Sequence, residues 1–339
     1  MSTSYDFSNH RKLSWLVTGG CGFIGSNFIH QLYHEGGHAI RVLDDLSVGS
    51  RDNLDRVCEF EELEVQDVES LKSRAPGTVE LVVGDIRDEE VTQVVGRGVD
   101  VIVHLAANPG VPKSVEDPMM DCTKNVIGTL NCLESARHNE TDRFVFASSV
   151  APLGEVEPPV HEDLAPRPKA PYGASKLAGE GYCSAYHGSY GLGTVALRFG
   201  NVYGPRSFHK ASVVSKFIRR AERGQVLEIY GDGEQTRDFI YTDDLLAAIR
   251  FSAVRHGVEG ELFQIATSSE TTVNELVDMM APILKEYGVS DVEIRNTEPR
   301  TGDIYRNYAD TSKAEEILGW GAKTSLEEGL RRTIEDMIG

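Results

Sequence analysis

The sequence predicts an α/β fold, a doubly wound parallel sheet followed by a smaller α/β domain. Three observations predict it. A glycine-spaced turn, Gly19-Gly20-Cys21-Gly22-Phe23-Ile24-Gly25, stands between an apolar run and a stretch with helical spacing. A second apolar run ends in Asp44-Asp45, about 20 residues past the glycines. From there strand-like and helix-like segments alternate as far as Gly200, the pattern of a parallel sheet covered on both faces.

Taken in order, residues 15–18 form an apolar run short enough for a buried strand, and residues 26–32 have the spacing of a helix. Glycines three apart at Gly19, Gly22 and Gly25 let the backbone turn tightly and approach a pyrophosphate, with the helix N-terminus facing the phosphate charge. The spacing is one residue wider than the common dinucleotide fingerprint. Residues 39–43 read as the second strand. Asp44 at its end is placed to accept both ribose hydroxyls, and its charge repels a 2′-phosphate, so the cofactor expected is NAD rather than NADP. Asp45 reads as a turn or capping residue. The acidic stretch 59–69 reads as a solvated helix face.

Further strands are expected at 79–83, 99–105, 143–148 and 194–199, with helices at 115–139 and 174–190. Residues 154–171 carry five prolines and read as a loop. Past Gly200 the alternation fails: 212–223 looks like a basic amphipathic helix, 227–230 a short strand and 243–254 another helix. The expected division is a Rossmann-type dinucleotide-binding domain over 13–200, joined by about 238–266, and a substrate domain over 201–237 and 267–339. Their junction would make a cleft.

The chain has 339 residues, 40% hydrophobic and 26% charged, the composition of an ordinary soluble globular protein. With 34 basic against 53 acidic residues its formal charge is −19, which opposes nonspecific binding to nucleic acid or an anionic membrane. An anionic ligand must find a local positive site. The five cysteines show no C-x-x-C pairing, so reduced thiols are expected rather than disulfides or a metal site. Residues 1–12 are polar, with no apolar leader core, and no stretch approaches a membrane span. The reading is a soluble, cytoplasmic protein.

Tyr172 and Lys176 lie four apart on an expected helix and so share one face. An ammonium beside a phenol favours the phenolate, which would let Tyr172 act as general base or acid near neutral pH. Ser149, at the end of an expected strand, could hydrogen-bond the same substrate oxygen.

Here the chain resembles the extended short-chain dehydrogenase/reductases, and among them the NAD-dependent nucleotide-sugar epimerases and dehydratases. Beyond the glycine turn and the Tyr/Lys pair, the resemblance rests on Asp44-Asp45-Leu46-Ser47, Gly84-Asp85-Ile86-Arg87-Asp88, His104-Leu105-Ala106-Ala107 and Asn125-Val126-Ile127-Gly128-Thr129. It continues through Leu197-Arg198-Phe199-Gly200-Asn201-Val202-Tyr203-Gly204-Pro205, Gly231-Asp232-Gly233 and Arg237-Asp238-Phe239 to Arg300-Thr301-Gly302-Asp303. It implies NAD held by Gly19, Gly22, Phe23, Ile24, Gly25 and Asp44, with Asp85 and Ile86 at the adenine. Ala106 and Ala107 would line the pyrophosphate–nicotinamide path, beside Asn125, Tyr172 and Lys176. Asn201, Arg237 and Arg300 match positions that hold a sugar-nucleotide diphosphate, and Asp303 looks like a ligand of the nucleotide ribose. Two arginines offer forks to phosphate oxygens. The resemblance also implies a homodimer through 115–139 and 174–190.

The dehydratases of this family carry acids directly after the Ser/Thr, and the UDP-glucuronate decarboxylases a Glu two residues on; this chain has Val150-Ala151. That leaves oxidation and re-reduction at one carbon, 4-epimerisation of a UDP-hexose through a 4-keto intermediate. Asn307 stands where the galactose epimerases have a bulky Tyr, implying a wider pocket. Arg206, His209 and Lys210 could offer a cation to a uronate, although Phe208 interrupts the basic run typical of many glucuronate epimerases. UDP-glucose/galactose and UDP-glucuronate/galacturonate are therefore the expected substrates, followed by UDP-N-acetylglucosamine. A decarboxylase or dehydratase, and a non-catalytic NAD-binding sensor or scaffold, are the alternatives.

Overall fold

The computed structural model describes residues 5, 7, 11–208, 210, 212–289, 292–298 and 305–339. The first half runs β1 (Ser14–Thr18), α1 (Phe23–Glu35), β2 (Ala39–Asp44), α2 (Arg51–Asp55), β3 (Glu61–Leu63), β4 (Val79–Val83), α3 (Glu89–Val95), β5 (Val101–His104), α4 (Val111–Glu116), α5 (Pro118–Cys122), α6 (Gly128–His138), β6 (Arg143–Ser149), α7 (Pro171–Tyr190) and β7 (Gly193–Phe199). The second half runs β8 (Asn201–Tyr203), α8 (Val213–Glu222), β9 (Leu227–Tyr230), β10 (Thr236–Arg237), β11 (Phe239–Tyr241), α9 (Thr242–Val254), β12 (Leu262–Ile265), β13 (Thr271–Thr272), α10 (Val273–Glu286), β14 (Ile294–Thr297) and α11 (Leu326–Ile338).

Eight strands form one sheet in the order β12-β7-β6-β5-β1-β2-β4-β3, and every ladder in it is parallel. Burial on both faces explains the apolar strands. Trp15 and Val17 point into one core with Phe28, Ile29 and Leu32 of α1 and Leu245, Leu246 and Ile249 of α9. Leu16, Ile102, Phe144 and Phe146 point into the other, with Leu133 and Ala136 of α6 and Cys183 and Tyr186 of α7. The chain leaves β1 toward β2 on one side and β5 lies on the other, so the crevice where ligands collect opens at the carboxyl ends of β1, β2 and β5. A third core, with Tyr203, Phe217, Leu227, Phe239, Leu276 and Ile334, gathers the elements outside the sheet.

Two expectations need correction. Residues 115–139 are not one helix. Pro118 has no N–H to continue α4, and Asp117 Oδ1 accepts Met120 N at 2.9 Å to start α5 afresh. One wide π turn, Thr123–Ile127, then precedes α6. Residues 59–69 are mostly exposed but do not form one helix face: Glu61–Leu63 pairs along Glu80–Val82 of β4 as the sheet edge, Val65–Asp67 makes a single 3-10 turn, and Val68 is buried. Tertiary pairing overrides local pattern there. The proline-rich loop is pinned where Val160 N donates to Tyr308 O at 2.9 Å and Asp310 N returns to Val160 O at 2.9 Å.

Candidate active site

The glycine turn is shaped by close approach. Gly19 has φ +70°, and a Cβ there would lie 2.8 Å from Ala106 N; one on Gly25 would lie 2.5 Å from Gly19 O. Side chains at these points would collide with backbone, so the turn could not pack against Ala106 and the start of α1. Gly22 caps α1 without a side-chain partner, leaving first-turn N–H groups directed into the cleft with the partial positive charge of the helix end. Asp44, buried at the end of β2, accepts Cys21 N and Leu46 N, each at 2.9 Å. Burial raises its pKa, and those two bonds oppose the rise. Asp45 accepts Ser47 N at 3.0 Å and Lys124 Nζ at 2.7 Å, the turn role expected of it.

These residues line a cleft of about 530 Å³ together with Phe23, Ile24, Asp85, Ile86, Ala106, Ala107, Tyr172, Lys176 and Arg206. Burial pushes the Asp85 carboxyl up, but hydrogen bonds from Arg87 outweigh it and hold the pKa down. The cradle fits a dinucleotide: room for phosphate at the glycines, helix N–H donors beside it, and acids at the ends of β2 and β4.

At the other end of the cleft stand Ser149 at the tip of β6 and Tyr172 and Lys176 on the first turns of α7. Ser149 Oγ accepts Ala151 N at 3.2 Å. Lys176 Nζ donates to Ala147 O at 2.7 Å and lies 5.9 Å from the centre of the Tyr172 ring. The expected depression of the Tyr172 pKa by Lys176 is not what this arrangement gives. Burial pushes the phenol up to about 12, with Ser149 pulling the other way and Asp121 adding to the rise. Burial also brings Lys176 down to about 8, against the pull of Asp121 and Glu180.

Two buried networks that sequence reasoning did not assign hold this group. Thr129 Oγ1 donates to Asn125 O at 2.6 Å, so it accepts from His104 Nε2 at 3.0 Å. His104 Nδ1, 2.8 Å from Thr18 Oγ1, is then the acceptor, and Thr18 in turn accepts Ala106 N at 3.2 Å. The imidazole is thereby fixed as the neutral Nε2–H tautomer, and burial brings its pKa down to about 3. In the second, Glu180 takes Ser148 Oγ at 2.5 Å and both Arg198 Nε and Nη2 at 2.8 Å, tying α7 to β6 and β7 beside Ser149.

Asn125 does not line the cleft. Its amide is taken up by Asn108 N at 2.7 Å, Asp121 Oδ1 at 2.9 Å and Ser175 Oγ at 3.2 Å, so it braces the cleft wall against α7. The π turn around it, a common device at functional sites, follows from no pattern of residue types. Asn201 and Asn307 border a small adjoining cavity with Val150 and Asp238. Arg206 is not brought together with Asn307. Its Nη1 donates to Asn27 Oδ1 at 2.6 Å on α1, and its backbone is held at φ +61°. Arg237 Nη1 donates to Thr236 O at 2.6 Å. His209, Arg300 and Asp303 lie outside the described residues.

A parallel sheet with a glycine turn, a buried acid at the end of β2 and a Ser–Tyr–Lys group defines a dinucleotide-dependent enzyme of the short-chain dehydrogenase/reductase type. The chain belongs to the NAD dependent epimerase/dehydratase family, whose sequence profile matches residues 15–266, and its cofactor is NAD. It is 38% identical over 327 residues to a putative UDP-glucose 4-epimerase of Methanocaldococcus jannaschii, covering 95% of this chain and 97% of that one. A crystal structure of UDP-glucose 4-epimerase with UDP-glucose from Thermotoga maritima is 36% identical, with TM-score 0.83 and coverage of 96% and 98%. A UDP-N-acetylglucosamine 4-epimerase from Methanobrevibacter ruminantium, in complex with UDP-N-acetylmuramic acid, is 30% identical, with TM-score 0.84 and coverage of 97% and 99%.

Proposed function

We propose that this chain is a UDP-hexose 4-epimerase acting on UDP-glucose and UDP-galactose. The observation that carries the reading is the chemistry around Ser149 and Tyr172. Val150 and Ala151 follow the serine, and the one acid bordering the adjoining cavity, Asp238, is occupied by Thr267 N at 2.7 Å, Thr267 Oγ1 at 2.6 Å and Ala309 N at 3.3 Å. Water elimination needs an acid and base beyond Tyr172, and Val150 and Ala151 supply neither at the positions after the serine.

Bound NAD supplies a reversible hydride acceptor whose positive ring favours the phenolate. Tyr172 withdraws the C4 hydroxyl proton as that carbon becomes a ketone and returns it when the ketone is reduced from the opposite face. Ser149 steadies the same oxygen, and Lys176 keeps a positive charge near the phenol below about pH 8.

Asn201, Arg237 and Asn307 belong to the substrate side, with Arg300 and Asp303. The third core gathers much of residues 201–237 and 267–339 outside the sheet, in keeping with a separate substrate domain. Arg206, held on α1, supports a neutral sugar over a uronate, and the small Asn307 leaves room for an N-acetyl group. Exposed Val115, Met119 and Ile127, with Tyr182 on α7, support a homodimer through these helices. Among the described residues no helix is long and apolar enough to cross a membrane, and the five cysteines are free thiols, in keeping with a cytoplasmic enzyme.

The test is incubation with UDP-glucose, UDP-glucuronate and UDP-N-acetylglucosamine separately, with products resolved by NMR of the anomeric and C4 protons. UDP-galactose from UDP-glucose is expected. A 4-keto-6-deoxy product or a pentose would replace this reading with dehydration or decarboxylation.

A further inference from the structure

The segment linking β8 to α8 brings two cations into the dinucleotide cleft from outside the eight-stranded sheet. Arg206 and Lys210 both line the cleft that holds Gly19, Gly22 and Phe23. Lys210 Nζ lies 4.5 Å from the centre of the ring of Phe23, the first residue of α1, and among the described residues its one hydrogen-bond acceptor is Val202 O at 2.5 Å. An ammonium has three donors. Arg206 lies on the same helix through Asn27, whose Nδ2 also donates to Pro205 O at 3.1 Å.

Among the described residues no carboxylate comes within ion-pair distance of either cation, in a chain with 53 acids against 34 bases. Of the other cations lining the cleft, Lys124 pairs with Asp45, and Lys113 and Lys176 have no carboxylate within ion-pair distance among the described residues. Arg206 feels the Asp243 carboxylate, so Lys210 is the less compensated of the two, and it stands beside the N-terminus of α1, itself partly positive. Three positive ends converging on one space is repulsive unless an anion lies between them.

Arg206 and Lys210 are each held in place. Arg206 N donates to Asp336 Oδ2 at 2.6 Å on α11, Lys210 N to Ser207 O at 2.8 Å, and Arg219 of α8 donates to Lys210 O at 2.9 Å. Burial alone brings the Lys210 pKa down to about 7, so a neighbouring anion would restore its charge.

We propose that Lys210, with Arg206, closes over the diphosphate of the bound dinucleotide, so that the substrate side of the molecule helps retain the cofactor. Diphosphate is also present in a nucleotide sugar, but the pair shares its cavity with the glycine turn and not with Asn201 and Asn307. The inference rests on the assignment of NAD to this cleft and not on the sugar chemistry.

The test compares Lys210→Met, which keeps the apolar stem over Phe23, with Lys210→Arg, which keeps the charge. Two readouts are taken on purified holoprotein: the rate of NAD loss on dilution, and the affinity for UDP by calorimetry, with thermal melting as the check on folding. Lys210→Met is expected to release NAD at least about tenfold faster, the scale of one charge-assisted hydrogen bond. UDP affinity stays within about twofold, and Lys210→Arg recovers most of the retention. Unchanged NAD release in a folded Lys210→Met protein overturns the proposal. Loss of UDP affinity with NAD retention intact also overturns it, and assigns the pair to the substrate's diphosphate. If Lys210→Met does not fold, Lys210→Gln answers the same question. Failure of epimerase activity leaves both readouts standing.

Discussion

At Tyr172 burial and charge pull in opposite directions, and the balance decides how the base works. With the phenol pushed up to about 12, Tyr172 stays protonated at neutral pH until positive charge is brought against it, so its basicity belongs to the loaded site. Tyr172→Phe removes only the hydroxyl. It is expected to lower kcat by about a hundredfold or more while UDP binding, measured by calorimetry, stays within about twofold. Wild-type turnover by that variant would assign the base elsewhere. Lys176 is legible in the sequence as the partner of Tyr172, but its contact with Ala147 O depends on β6 lying beneath α7. No spacing along one helix shows that.

Among the elements, α7 is held by Glu180, whose carboxylate meets Arg198 and Ser148 inside the protein. Removing one partner leaves a buried guanidinium uncompensated, so Glu180→Ala is expected to destabilise by about 3–5 kcal/mol in urea unfolding. The His104 relay makes a different prediction. Its folded pKa, about 3, lies below the ordinary 6.5, so between those values the unfolded chain binds the extra proton. Stability therefore falls as pH drops through that window, by up to about 1.4 kcal/mol per pH unit from this group. His104→Gln should flatten the slope; an unchanged slope would mean that His104 is protonated in the folded state.

These networks mark the limit of what the sequence revealed. Continuously apolar strands and the glycine turn made the sheet readable, because burial on both faces leaves a direct trace in residue type. Glu61–Leu63 left none, since an acidic edge strand is made by its neighbour. Asp121, Asn125 and Ser175 were equally hidden as a cluster, being joined only when Pro118 and the π turn bend the chain beside α7.

For the molecule as a whole, the exposed apolar side chains Met119 (71% exposed) and Val115 (62%) flank the outer face of α4 and α5, and covering such a patch lowers its contact with water. Light scattering at micromolar concentration is expected to give twice the 37.3 kDa chain mass; the single mass would remove the dimer and leave the site chemistry untouched.

The proposed redox cycle opens and closes at C4 within one site. It is tested most directly with UDP-glucose deuterated at C4, run in ordinary water to equilibrium and read by NMR and mass spectrometry. UDP-galactose that keeps the deuterium at C4, with no NADH accumulating in solution, is the predicted result. Loss of the label to solvent, or its appearance at another carbon, would contradict the account.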